Sequence, residues 1–138
     1  MIGTDIIGTV LREAAPVTAM VPGKNIKTGR LPDIVKLPAL LIRTISLIER
    51  QPLKRTGMVR WTERVAVTVR AENYLDQKLI LRRVRAVCLA RSGAIAGAER
   101  VSILPAGAGP DIAGPANSFE QTHDFRVSFD APEEAAGA

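Results

Sequence analysis

A chain of 138 residues, 46% apolar and 24% charged, has the size and composition of one globular domain that folds without disulfides or metals. One cysteine permits no intrachain disulfide, no apolar run approaches the roughly 20 residues that cross a bilayer, and Met1–Asp5 lacks the basic start of a signal peptide; synthesis in a reducing cytoplasm is expected. The net charge of +5 hides an asymmetry, because residues 24–91 carry +11 and the remainder −6. A basic middle between acidic ends suits contact with nucleic acid or an acidic neighbour, or else simply solvates helix and strand faces.

Asp5 to Ala15 reads as a helix with Ile6, Ile7, Val10, Leu11 and Ala14 on one stripe, Thr4 or Asp5 as its cap, and Pro16 as its end. Residues 21–30 are turn-rich and basic, a connecting loop. Ala39 to Ile48 is a mostly apolar, β-branched run that fits a central strand. A basic connector, residues 49–57, leads to a second strand starting near Met58. There Val59, Trp61, Val65, Val67, Val69 and Ala71 alternate with Arg60, Thr62, Arg64, Thr68 and Arg70, one face buried and one wet.

Asn73 then caps a helix whose stripe is Leu75, Leu79, Ile80, Val84, Val87 and Cys88, with Arg91 in its last turn and Gly93 as a left-handed C-cap. Arg100 to Leu104 is a short strand, and Pro105 to Ser118 a flexible loop. Phe119 to Phe129 alternates as a closing strand, with Phe119, Phe125, Val127 and Phe129 on one face. The expected architecture is α+β: a mainly antiparallel sheet of about four strands with two helices packed on one face. Residues 1–132 form a single domain and 133–138 an acidic tail. The other sheet face, with its arginines, stays open to water or a partner.

Candidate chemistry is sparse. His123 is the only histidine, which excludes a histidine metal cluster, and by alternation it shares the Phe125 face, where a histidine bonded to a carbonyl is expected. Cys88 lies on the apolar helix stripe, the position of an inert thiol. Gly107-Ala108-Gly109-Pro110 lacks the Lys-Ser or Lys-Thr of a phosphate loop, and Val21-Pro22-Gly23-Lys24 lacks the upstream glycine. Glu120, Asp124 and Asp130 form no recognisable acid/base pair. No enzyme, cofactor or metal is expected. Aromatic residues make up only 4%, and none interleaves with the arginines as a stacking platform, so sequence-specific nucleic-acid binding is not expected either.

Several strings in order resemble a known family. They are residues 14–23, from Ala14 to Gly23; Leu37-Pro38-Ala39-Leu40-Leu41-Ile42-Arg43; Val65 to Tyr74 leading into Leu79 to Val87; and Asp124 to Phe129. Together, spanning nearly the whole chain, they resemble the tail-completion, or tail-terminator, proteins of tailed bacteriophages and related gene-transfer particles. The hairpin connector is more basic, and residues 105–118 longer, than that pattern asks. The resemblance implies a ring, usually a hexamer, at the head-proximal end of the tail tube in the virion. Such a ring stops tube polymerisation, docks the head connector and passes DNA through its lumen without reading sequence. Its partners are further copies of itself, the tail tube protein and the connector proteins.

Arg50, Lys54, Arg55, Arg60, Arg64, Arg70, Pro110 and Asp111 are the expected assembly contacts, with subunit contact favoured over lumen lining for the arginine face. The alternatives are another neck or tail component, such as a head-completion adaptor or tube protein, and a non-specific DNA-binding module.

Overall fold

The computed structural model describes residues 2–50 and 57–132. Among them a seven-stranded mixed sheet dominates, curled into a half-barrel, with three short helices. This corrects the expected sheet of about four strands and two helices. The strands are β1 (Ile26–Thr28), β2 (Ala39–Arg50), β3 (Met58–Ala71), β4 (Ser92–Ile95), β5 (Ala98–Ala108), β6 (Ile112–Ala113) and β7 (Phe119–Pro132). Their order is β1-β2-β3-β7-β5-β4, with β6 also paired to β7. Only the β1–β2 pair is parallel.

The missed strands are short and lack alternation. β1 is an Ile-Lys-Thr tripeptide held by the backbone of β2, β4 is Ser-Gly-Ala-Ile, and β6 is two residues long. Tertiary pairing makes them strands where local propensity is weak. Residues 105–118, expected as a flexible loop, instead complete β5, form β6 and make a 3-10 turn over Pro115–Asn117.

The helices are α1 (Ile2–Glu13), α2 (Ala15–Thr18) and α3 (Tyr74–Leu89). Ile6, Ile7, Val10 and Leu11 of α1 are buried as their spacing predicts. Thr4 and Asp5 lie inside α1, and Pro16 opens α2 as well as following the end of α1, since its missing N–H is tolerated in a first turn. Asn73 caps α3, its side chain accepting from the Asp76 N–H at 2.9 Å. The C-terminal reading fails: Ala90 ends the helix in a right-handed conformation, and Gly93 uses its φ of +90° within β4.

The buried stripe of α3 is Gln77, Ile80, Leu81, Val84 and Cys88, so Leu75, expected in the core, stands 78% exposed. Helices α1 and α3 cover the sheet face carrying Val65, Val67, Phe125, Val127 and Phe129, forming one continuous core. The opposite face has no helix on it among the described residues. The expectations for 133–138, and for most of the 49–57 connector, lie outside the described residues.

Candidate assembly surface

The helix-free outer face is built from the side chains of β2, β3, β7 and β5 that alternate away from the core. Strand β3 faces β7 in an uninterrupted antiparallel register from Met58↔Pro132 to Ala71↔Phe119. That register places basic residues of β3 against acidic residues of β7, and hydroxyls against hydroxyls. Arg60 Nη1 binds Asp130 Oδ1 at 3.1 Å, Arg64 Nε binds Asp124 Oδ2 at 2.8 Å, and Arg70 Nε binds Glu120 Oε2 at 2.8 Å. Between them, Thr62 meets Ser128 at 3.3 Å and Thr68 meets Thr122 at 2.8 Å. Opposite-charge and hydroxyl pairs facing one another across strands each contribute about 0.2–1 kcal/mol.

Each arginine also reaches a third segment. Arg60 donates to the Arg100 carbonyl, Arg64 to the Ala106 carbonyl, and Arg70 to the Pro32 carbonyl at 2.8 Å. The guanidinium fork suits this double duty. Arg60, Arg64 and Arg70 therefore act first as staples within the chain. They are not equivalent, because Arg64 is exposed while Arg70 is only 7% exposed. Arg43 and Arg126, which the sequence reading passed over, are exposed cations on this face with no ion-pair partner among the described residues.

Asp111 anchors a second polar cluster beside the start of α3. Its carboxylate accepts from Lys78 Nζ at 2.7 Å, Gln77 Nε2 at 2.9 Å and the Tyr74 hydroxyl at 3.0 Å. Gln121 joins the cluster, accepting from Lys78 and Gln77 and donating to the Gly109 carbonyl at 2.9 Å. The bond from Lys78 holds the Asp111 carboxyl below its ordinary value, and Asp111 in turn raises the Lys78 ammonium. This latch ties Asp111, and with it the 109–113 segment, to the first turns of α3. Pro110 is exposed in the turn beside it. Lys54 and Arg55, and the side chain of Arg50, lie outside the described residues.

His123 donates Nδ1–H to the Asp124 carbonyl at 2.9 Å and stacks on Phe125, the carbonyl-bonded core-edge histidine expected. Burial lowers its pKa. Cys88 is fully buried, and burial pushes its thiol up to about 12, far from a reactive thiolate. Among the described residues, no cluster of His, Cys, Asp or Glu is placed to hold a metal. No described helix is long and apolar enough to cross a membrane.

The residue that sequence reasoning missed is Glu63. It falls in phase with Val65 and Val67 on the core face and is fully buried, with Thr44 Oγ1 donating to its Oε2 at 3.0 Å. The N–H of Gly3, in the first turn of α1, also points to this carboxyl, whose Oε1 has no partner. A carboxylate at a helix N-terminus meets unpaired N–H groups and the positive end of the helix dipole. The signal was present in the alternation, as the one acidic residue in an otherwise apolar series.

No family model matches the sequence, and no curated protein does. Among solved structures, the fold is similar to that of a chain in the virion of a native gene transfer agent particle, at a TM-score of 0.63 and 14% identity. The likeness covers 93% of this chain and 94% of that one. A second chain, from Akkermansia muciniphila and lacking its transmembrane region, aligns at a TM-score of 0.31 and 3% identity. It covers 67% of this chain and 47% of its own, and carries no argument.

Proposed function

We propose that this protein is a structural component of a phage-like virion, a tail terminator that forms a ring on the tail tube, halts its polymerisation and presents a docking face to the head connector. The observation that carries this reading is the fold shared over nearly the full length of both chains with a gene transfer agent virion component. The described residues support a binding role. Arg60, Arg64, Arg70 and Asp111 are tied into ladders and latches, the histidine and cysteine are buried, and the polar sheet face is free of helices among the described residues.

Copies of the chain, the tube protein and the connector proteins are its partners in this reading, with DNA passing the ring unread. The in-chain neutralisation of Arg60, Arg64 and Arg70 leaves Arg43 and Arg126 as the unpaired arginines of this face among the described residues. Fewer free cations mean weaker phosphate binding, which suits subunit contact better than DNA capture.

Quantifying the protein in purified particles tests the reading. A terminator is present as one ring per tail, and its removal leaves tubes of uncontrolled length. Many copies in stacked rings identify a tube protein instead, and removal that leaves both tail length and head attachment intact overturns the proposal. Tight, steeply salt-dependent DNA binding by a stable monomer favours the DNA-binding alternative.

A further inference from the structure

The sheet ends in two different open edges. At one end, β1 covers only Leu40–Ile42 of β2, so β2 from Arg43 onward has no strand on its far side among the described residues. Residues 43–46 and 48–49 are all exposed, and they include Ile45 at 48% and Ile48 at 59%. At the other end, β4 pairs with β5 only as far as Ser102, leaving Ile103–Ala108 open, with Leu104 51% exposed. Unpaired edge groups are templates for strand addition, and soluble proteins normally guard them with lysines, prolines or bulges. Neither open stretch carries a lysine. The guards present are the charged Arg43 and Glu49 and the register shift at Thr44/Ser46 in β2, and in β5 Pro105 with the shift that follows it. They bound the open stretches at Ser46–Ile48 and Ile103–Leu104 without closing them.

We infer that the β2 edge of one copy adds to the β5 edge of the next, so that the sheet continues head-to-tail from subunit to subunit. Strand direction permits it. β2, β7 and β4 run one way, and β3 and β5 the other. A copy related by simple rotation keeps its direction, so its β2 lies antiparallel to β5.

Side-chain parity permits it too. Ile48 pairs with Thr62 and Leu104 with Arg126, which places both on the outer face. In a continued sheet they meet on one surface and cover each other. A twofold β2–β2 pairing would leave Leu104 and the β5 edge bare. Two different complementary edges are what a heterologous, ring-closing contact requires. The inference rests on the ring reading above and specifies the contact that builds the ring.

Cysteine cross-linking tests it, because the natural Cys88 is buried and does not compete. The full-length Ile48→Cys/Leu104→Cys variant, oxidised at the highest soluble concentration, should give a ladder of covalent oligomers. Ile48→Cys alone and Leu104→Cys alone should give none. Ile45→Lys/Ile48→Lys should lose assembly in light scattering while keeping the circular dichroism of the parent.

Dimers from Ile48→Cys alone would show β2 pairing with itself and overturn the inference. So would a protein that stays monomeric at every concentration, or one that assembles without the ladder. The last result leaves the terminator reading standing with a different interface. A ladder from a protein that is absent from the particles would sink the terminator reading and keep the interface.

Discussion

Gly3 lies so close to the carboxyl group of Glu63 that a side chain at that position would occupy the carboxyl's own space. The first turn of α1 is thus seated directly on a buried acid of β3. Glycine here serves close approach rather than an unusual backbone conformation.

Gly3→Ala is expected to destabilise the protein by about 1–3 kcal/mol, the usual cost of overpacking a filled site. Helix propensity alone predicts the opposite, since alanine in a helix is favoured over glycine by about 1 kcal/mol. The sign of the change in urea midpoint therefore separates the two effects. The cost should shrink in a Glu63→Ala background, where the clashing carboxyl is gone. Equal costs in both backgrounds would show that the contact is not the cause.

Glu63 also fixes a pH dependence. Burial raises its pKa above the ordinary carboxylate value, opposed by the bonds from Thr44 and the Gly3 N–H. The folded protein therefore holds this proton more tightly than the unfolded chain does. The resulting stability is fully present below the unfolded carboxylate pKa and is lost as pH rises through the raised folded value. Glu63→Gln keeps the shape without the titration. Relative to it, the parent should lose stability as pH climbs from acid to neutral, read from denaturation midpoints across that window. A constant difference would mean that Glu63 titrates normally.

The core was legible where one periodicity ran long enough to declare itself. Val65, Val67, Val69, Ala71, Phe125, Val127, Phe129 and the α1 residues Ile6, Ile7, Val10 and Leu11 are buried as their spacing predicted. Thr68 and Arg70, expected on the wet face, are buried too, Arg70 by its bonds to Glu120 and the Pro32 carbonyl. The same rule misplaced Leu75, since the helical phase of α3 is set by Gln77 and Ile80, and a glutamine gives no apolar signal. The short strands were not legible, because a tripeptide such as Ile26–Thr28 becomes a strand only when β2 lies beside it. The arginine face was found, but its carboxylate partners were not. They sit 50 to 70 residues away, and only the β3–β7 register brings them opposite.

Arg70 and Arg64 should differ sharply on substitution. Arg70 is buried and holds both Glu120 and the Pro32 carbonyl, so Arg70→Met strands a partly buried carboxylate and a carbonyl. Leaving such groups unpaired costs about 1–3 kcal/mol each. The Arg64 side chain is 47% exposed, and Arg64→Met should cost about 1 kcal/mol or less. Chemical denaturation of the two variants side by side checks the ranking. Equal losses would show that burial does not set the worth of these staples.

The Asp111 latch makes a dynamic prediction. Three donors, from Tyr74, Gln77 and Lys78, converge on one carboxylate, and Gln121, which accepts from Gln77 and Lys78, donates to the Gly109 carbonyl. Asp111→Ala removes the shared acceptor while leaving the α3 core residues Ile80, Val84 and Cys88 untouched. Amide hydrogen exchange should then accelerate at residues 109–114, while protection in the middle of α3 stays at its parent level.

Acid should mimic the variant. The lowered Asp111 pKa means that its contribution is present above the unfolded value and lost as pH falls through the depressed one. Exchange that rises equally along α3 would show that the cluster supports the helix rather than the strap. Exchange unchanged at 109–114 would show that the backbone bond from the Gly109 N–H to the Thr122 carbonyl, 2.8 Å long, holds the segment by itself.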